Sequence, residues 1–192
     1  MNSQNPLFPI TMKTRWQSTS NFTIAQPLLD WLLDPCSLTA RFKKHCQHFR
    51  IEVLGQQIQA CASSEANEDI KAGEQVLVRE VLIYCDDKPQ VFARSLLPLK
   101  SLTGEEQQLA HLGNQSLGQV LFNNPELIRK NIEVSSFDAQ DSLSDLLISL
   151  SLPSSDEIWG RRSVFILHDK PLMVAEIFLP GSLAYQFESS TS

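Results

Sequence analysis

VLVREVLIYCDDKPQVFARSLLP, residues 76–98, contains two strand-forming runs on either side of a short polar segment, and the rest of the predicted fold is arranged around it. The runs are rich in β-branched and aromatic residues, and the DDKP segment at 86–89 is typical of a turn between strands. The stretch therefore predicts an antiparallel hairpin. Side chains alternate between the two faces of a strand, so Arg79 falls in a row that is otherwise apolar. The other members of that row are Leu77, Val81, Ile83 and Cys85.

A second charge stands in an apolar row near the end of the sequence. Alternation along the predicted strand at 172–179 places Glu176 on the same face as three apolar residues. A buried guanidinium or carboxylate is costly unless an opposite charge or a hydrogen-bonding group meets it. Two interpretations are open. Either the two charges are structural, with Arg79 and Glu176 pairing with each other or each meeting a backbone group, or they mark the two ends of a small ligand pocket.

The remaining elements predict an α+β fold. Strand character occurs at 49–60, 128–136, 163–168 and 172–179, with a tight turn at 169–171. Helical segments occur at 24–34, 38–46, 103–111 and 115–122. Because the strands arrive as hairpins, we expect one mainly antiparallel sheet of about six strands that is covered by helices.

The helices pair into two helix-turn-helix units, which either cover a site as flaps or simply pack on the sheet. Ser37 is placed to cap the second helix of the first unit. In the second unit, Thr103 and Glu106 have the spacing of a capping box, Gly113 ends the first helix, and Asn114 begins the next one.

The length of 192 residues is typical of one domain, and we predict a single domain over 1–192. Residues 1–23 are expected to be a loosely ordered lead-in, and 186–192 a frayed polar tail. The segment 135–156 is rich in serine and aspartate and carries leucines at helical spacing. It predicts a mobile insertion loop with a short amphipathic helix.

Composition excludes several classes of function. The formal net charge is −6 and no lysine or arginine cluster occurs, which argues against binding to nucleic acid or to an anionic membrane surface. An anionic ligand would therefore need a local positive pocket. No run approaches the roughly 18 apolar residues of a membrane span, so membrane insertion is not expected.

The cysteines and histidines predict neither disulfides nor a metal site. The four cysteines show no CxxC pair and no secretory segment precedes them, so we expect free thiols in a cytoplasmic protein. His45, Cys46 and His48 lack the partners of a zinc set. No GxSxG elbow and no glycine-rich phosphate loop occurs either.

Three further arginines are weaker candidates for a site. Arg94 either lines the same cavity as Arg79 or pairs with an acid. Arg161 and Arg162 stand at the entrance of a predicted strand, where they are either solvated or part of an anionic site. Glu80 faces away from Arg79 and is expected to form a salt bridge or to lie on the surface.

Six blocks in fixed order carry a resemblance to the chorismate lyase family over residues 28–185. The blocks are LLDWLLDPCSLTARF (28–42), LVREVLIYCDDKP (77–89), ARSLLP (93–98), LGNQSLGQVLF (112–122), WGRRS (159–163) and KPLMVAEIFLP (170–180).

The resemblance implies an enzyme that removes pyruvate from chorismate to give 4-hydroxybenzoate for ubiquinone, without metal or cofactor. It implies that Arg79 holds the ring carboxylate, that Glu176 bonds the ring hydroxyl, and that Leu38 and Leu117 contact the same ligand from two flaps. It further implies slow release of product. Leu38 stands where the family leads us to expect methionine, and the 135–156 segment is longer than expected.

Two readings from other classes stay open. Effector domains of one family of bacterial transcription regulators resemble the lyase fold, so a non-catalytic domain that senses an aromatic acid is the main alternative. Residues 1–23 are too short and too weakly basic for the DNA-binding domain of such a regulator. A scaffold protein would instead have Arg79 merely paired with Glu176. We expect a monomer, since no long apolar stripe is left uncovered.

Overall fold

A computed structural model describes residues 4–10, 12–137, 143–154 and 157–186. Its centre is one antiparallel sheet of six strands in the order β1-β2-β3-β6-β5-β4. The strands are β1 (Phe49–Ala60), β2 (Gln75–Cys85), β3 (Lys88–Pro98), β4 (Ile128–Phe137), β5 (Ile158–Leu167) and β6 (Lys170–Phe178). The α+β prediction is confirmed.

Two tight hairpins build the sheet. Asp86 and Asp87 turn β2 into β3 with φ angles of 48° and 62°, and His168 and Asp169 turn β5 into β6 with the same two values. Positive φ at both central residues matches the twist of the flanking strands, and Asp tolerates this conformation well. The second turn therefore precedes the predicted position, 169–171. Because β6 pairs with both β3 and β5, strands far apart in the sequence meet at the centre of the sheet.

Short helices cover one face of the sheet. They are α1 (Gln26–Leu32), α2 (Leu38–Lys43), α3 (Leu117–Phe122), and a 3₁₀ helix at Gly104–His111. Residues 26–43 form the first flap and residues 104–122 the second flap. As predicted, Ser37 caps α2, because its hydroxyl accepts a hydrogen bond from the Ala40 N–H.

Two of the three capping predictions for the second flap, those for Thr103 and Asn114, are wrong. Thr103 makes no side-chain cap, because Glu106 is drawn instead to the Lys170 ammonium and His168. The segment after Thr103 is accordingly a 3₁₀ helix rather than an α-helix. Ser116, not Asn114, caps α3 by accepting from the Gln119 N–H at 3.1 Å. Gly113 does adopt the positive φ, 55°, that is common after a helix end.

The N-terminal segment is not a loose lead-in. Phe8, Ile10 and Met12 are buried. Gln17 forms a β-bridge with Val134 of β4. These contacts bury apolar side chains that the sequence pattern did not assign to any element, and they cover the sheet face opposite the flaps.

The predicted insertion also contributes to the core. β4 continues to Phe137, and helix α4 (Ser144–Ser149) buries Leu146 and Leu147 against the sheet. The helix within the segment is thus confirmed, while its description as a loop from residue 135 is wrong. Positions 138–142 and 155–156 of the segment lie outside the described residues.

The chain stays packed beyond Pro180. A 3₁₀ helix spans Leu183–Tyr185, and the Tyr185 hydroxyl donates to the Phe178 carbonyl at 2.9 Å. The predicted tail lies outside the described residues after Gln186. Within the described chain, no helix has both the length and the apolar character that crossing a membrane requires.

Candidate ligand site

A cavity lies between the sheet and the two flaps. All six strands of the sheet contribute charged or apolar side chains, and each flap contributes residues of its second helix. Its lining includes three arginines, one carboxylate and one leucine from each flap, namely Arg79, Arg129, Arg161, Glu176, Leu38 and Leu117. The structure thus brings together the four residues that were assigned to a ligand site and one of the further candidates, Arg161, and it adds Arg129.

Arg79 lies in the cavity without an anionic partner. Arg79 is 3% exposed, so its guanidinium is removed from solvent. Its Nη2 atom donates to the carbonyls of Gly113 at 2.8 Å and Gln115 at 3.1 Å, both in the second flap. Burial lowers the pKa of Arg79, because the charged form has lost its hydration. Among the described residues no carboxylate pairs with it, which leaves this cation available for an anionic ligand.

Glu176 pairs with Arg161 instead of Arg79. Arg161 stands opposite Glu176 where β5 and β6 pair, and its Nε donates to Oε2 of Glu176 at 2.6 Å. The Nη1 of Arg161 donates to the carbonyls of Trp31 and Asp34 at 3.1 Å and 3.0 Å. The interpretation of Arg79 and Glu176 as a structural ion pair is therefore wrong.

Arg129 is a third guanidinium at the cavity. Its Nε donates to the Ser163 hydroxyl at 2.9 Å, and its Nη1 donates to the Asp34 carbonyl at 2.9 Å. The Phe165 ring lies 5.2 Å from the guanidinium carbon, within the range of a cation–π contact. Burial, together with the nearby charge of Arg161, lowers the pKa of Arg129 to about 10.

The charges at the cavity favour an anion. Three arginines face it against the single carboxylate of Glu176, although the chain as a whole carries a net charge of −6. The nearby carboxylate of Asp34 is already paired with Arg41 at 2.7 Å. This is the local positive pocket that an acidic protein needs in order to bind an anionic ligand.

The two flaps close over the cavity together. The hydroxyls of Thr39 and Ser116 are 2.7 Å apart, and Lys43 donates to the Gln119 side-chain carbonyl at 2.8 Å. Leu38 and Leu117 are the first residues of α2 and α3, and both are buried at the cavity. The N–H of a first helical residue has no acceptor within its own helix, so it is free to meet a ligand.

The other candidate charges lie elsewhere. Arg94 is on the opposite side of the sheet, where it binds Glu65 at 2.6 Å and also pairs with Glu80 in a fully buried cluster. Arg162 pairs with Glu133 on that side. Of the two possibilities for Arg94, pairing with an acid is the correct one, and Glu80 is a salt-bridge residue.

All four cysteines are free thiols in the structure. Cys46 and Cys85 lie close together, with 2.6 Å between their sulfur atoms, away from the residues that line the cavity. In the part of the chain that is described, no three His, Cys, Asp or Glu side chains come close enough to hold a metal ion.

The sequence pattern did not indicate Arg129 as a site residue, because β4 is irregular near this position. The pairing of β4 with β5 shifts register between Arg129 and Ile132, so simple alternation along β4 does not report which side chains share a face. Arg161 was noticed only as one of two arginines at a strand entrance. The strand in fact begins at Ile158, so alternation from there would have separated Arg161 from Arg162.

Comparison with known sequences identifies a family. The sequence profile described as Chorismate lyase matches residues 10–188. A protein from Psychromonas ingrahamii named probable chorismate pyruvate-lyase is 38% identical over 178 residues, which is 92% of this chain and 96% of the relative. A protein of the same name from Pseudoalteromonas translucida is 39% identical over 180 residues, covering 93% and 98% of the two chains.

Solved structures share the fold at low sequence identity. A GntR-family transcriptional regulator from Bacillus cereus is 16% identical with a TM-score of 0.52, and the match covers 75% of this chain and 99% of that one. A GntR-family regulator from Enterococcus faecalis is 14% identical with a TM-score of 0.51, covering 73% and 95%. These similarities concern the fold alone.

Proposed function

The chain belongs to the chorismate lyase family, and from this premise we propose that the cavity under the two flaps is its active site. The activity follows from the family. The chain is a carbon–oxygen lyase that removes pyruvate from chorismate to give 4-hydroxybenzoate, a precursor in ubiquinone biosynthesis. Which residues perform the reaction is our proposal, and the single observation that supports it best is the buried, anion-free guanidinium of Arg79.

In the proposed pose, the ring of the ligand spans the distance from Arg79 to Glu176. Arg79 binds the ring carboxylate through nitrogens that the flap carbonyls do not use, a geometry that suits a planar carboxylate. Glu176 accepts from the ring hydroxyl through Oε1, because Oε2 already accepts from Arg161. The first N–H groups of α2 and α3, at Leu38 and Leu117, contact the ligand from above.

The reaction needs little from the protein beyond position and charge. The ether bond between the ring and the enolpyruvyl oxygen breaks, and the hydrogen on the hydroxyl-bearing carbon leaves the ring. That hydrogen ends on the enolpyruvyl methylene, which becomes the methyl group of pyruvate. Loss of pyruvate makes the ring aromatic, so the reaction is strongly downhill and we propose that it runs without a cofactor. Closed flaps exclude water and hold the reacting groups in line.

Closed flaps also explain a proposed slow release of product. The hydrogen bonds between Thr39 and Ser116 and between Lys43 and Gln119 must break before the cavity opens. The product keeps the carboxylate and the hydroxyl that Arg79 and Glu176 bind, so it is expected to inhibit the enzyme.

The deciding experiment mixes the purified protein with chorismate in the presence of a chelator and follows 4-hydroxybenzoate absorbance and pyruvate together. Equal formation of both, slowing as 4-hydroxybenzoate accumulates, supports the proposed site and slow release. Binding of 4-hydroxybenzoate without turnover of chorismate would instead indicate an effector-sensing domain. This alternative is considered because transcriptional regulators share the fold.

We extend the proposal to the whole protein. Residues 1–192 act as one chorismate lyase-like domain, in which both the N-terminal segment and α4 pack on the same sheet. We propose that the enzyme works as a monomer in the cytoplasm, that its small-molecule partners are the substrate chorismate and the product 4-hydroxybenzoate, and that it binds no nucleic acid. Sedimentation of the purified chain at several concentrations tests the oligomeric state.

A further inference from the structure

Two arginines at the cavity pair with no carboxylate among the described residues, and they lie on opposite sides of Glu176 in the sheet. Arg79 is on β2 and Arg129 is on β4, while Glu176 is on β6, midway between them in the strand order. Four strand spacings separate β2 from β4, or about 19 Å. Both long side chains nevertheless reach the same cavity.

Arg129 is held in place by groups that leave part of its guanidinium unused. Its Nε is bound to Ser163 and its Nη1 to the Asp34 carbonyl. Its Nη2 donates no hydrogen bond within the described chain. Arg161 differs, because its charge is already met by Glu176. Arg129 is therefore the second cation at this cavity, beside Arg79, whose charge the described residues do not neutralise.

The substrate carries two carboxylates, one on the ring and one on the enolpyruvyl group. The enolpyruvyl ether is attached to the ring carbon next to the carbon that bears the hydroxyl. If the ring carboxylate lies at Arg79 and the hydroxyl at Glu176, the enolpyruvyl group projects from the end of the ring that is near Glu176. On the side of Glu176 away from Arg79, the strands that follow are β5 and β4, which carry Arg161 and Arg129.

We propose that Arg129 binds the enolpyruvyl carboxylate of chorismate and thereby distinguishes substrate from product. This inference rests on the proposed function, because it takes the same cavity and the same pose of the ring. A charge-assisted hydrogen bond from Nη2 of Arg129 to the enolpyruvyl carboxylate would hold the leaving group while the ether bond breaks. After the reaction, 4-hydroxybenzoate keeps no group at this position, so Arg129 contributes to binding of chorismate and not of the aromatic product.

The test compares two ligands in one variant. In Arg129→Gln we expect kcat/KM for chorismate to fall about 10- to 100-fold, while the Kd for 4-hydroxybenzoate stays within about threefold. Lys130→Gln is the matched control, because Lys130 is the next residue on the strand and pairs with Asp69 outside the cavity at 2.9 Å. Both quantities should remain unchanged in that control.

Each other outcome has a definite meaning. If wild-type protein does not convert chorismate, the proposed function fails before Arg129 is tested. If wild type is active but Arg129→Gln weakens both ligands equally, or neither, Arg129 does not bind the second carboxylate and the inference is overturned. Should Arg129→Gln fail to fold, Arg129→Lys retains the charge without the planar guanidinium. If Arg129→Lys weakens kcat/KM for chorismate and binding of 4-hydroxybenzoate by the same factor, or changes neither, the inference is also overturned.

Discussion

Glu176 is bound to Arg161 across the pairing of β5 with β6, with Nε and Oε2 2.6 Å apart, and this contact leaves Arg79 without an acid. A carboxylate at the centre of the sheet would otherwise be the natural partner of Arg79. Because Arg161 is itself fixed by carbonyls at the end of α1, Glu176 is held in one orientation. The unpaired cation and the oriented carboxylate are the two features on which the proposed active site rests.

Arg79→Ala should lose most activity while the protein still folds. Because Arg79 is proposed to position the ring carboxylate, its removal should lower kcat/KM about 10²- to 10³-fold. Affinity for 4-hydroxybenzoate should fall about 10- to 100-fold with the lost charge-assisted bonds. The free energy of unfolding should change little, because the side chain is a buried charge without an anionic partner. Steady-state kinetics, product titration and urea unfolding measure these effects; wild-type kinetics would remove Arg79 from the site.

Glu176→Gln should reduce turnover more than stability. Glutamine fills the same volume and still accepts a hydrogen bond, so the ring hydroxyl retains part of its contact. The negative charge beside the ring hydroxyl is lost, and we expect kcat to fall by about 10²-fold or more. Arg161 keeps its bonds to the carbonyls of α1, which limits the structural damage. A fully active variant would show that Glu176 has only a structural part.

Arg94→Ala should destabilise the protein strongly without touching the site. Arg94 and its partners Glu65 and Glu80 are all buried, so the truncation leaves two carboxylates without their counter-charge. Breaking such a buried cluster costs about 3–5 kcal/mol in the free energy of unfolding. Arg50→Ala, which removes an exposed arginine paired with Glu52, should cost no more than about 1 kcal/mol. Equal losses in the two variants, measured by urea unfolding, would argue against the cluster.

The ion pairs of Glu106 should make stability depend on acid pH. The hydrogen bonds from Lys170 and His168 lower the pKa of Glu106 from 4.5 to about 2. A lowered pKa in the folded state stabilises the protein above the unfolded value of 4.5, and the stabilisation disappears as the pH falls toward 2. Wild type should therefore be more stable than Glu106→Gln near pH 6, and the difference should shrink below pH 4.5.

Urea unfolding of both proteins between pH 6 and pH 3 measures this trend. Glu105→Gln removes one exposed negative charge next to Glu106 and serves as the control for a change in net charge. A difference between wild type and Glu106→Gln that stays constant over this range would mean that the pairing with Lys170 and His168 does not lower the pKa of Glu106.

The strands and the first two site residues were predictable because they depend on local pattern. Alternation of apolar residues placed Arg79 and Glu176 on buried faces, and turn residues located both hairpins to within a residue or two. The capping box at Thr103 failed because Glu106 found stronger partners in Lys170 and His168, which are more than 60 positions away. The capping-box rule considers only residues that are close in the sequence, so it takes no account of Lys170 and His168.

By itself the sequence determined an antiparallel α+β sheet, two buried charges within it, and membership of a family. Only the tertiary structure decided which charges meet. In the folded chain Glu176 pairs with Arg161, and Arg94 lies between two acids on the other face of the sheet. Arg129 reaches the cavity from a part of β4 where the pairing with β5 shifts register. The reason is physical: side-chain alternation is set by each strand's own backbone, whereas ion pairing depends on strand order and register, which the whole fold fixes at once.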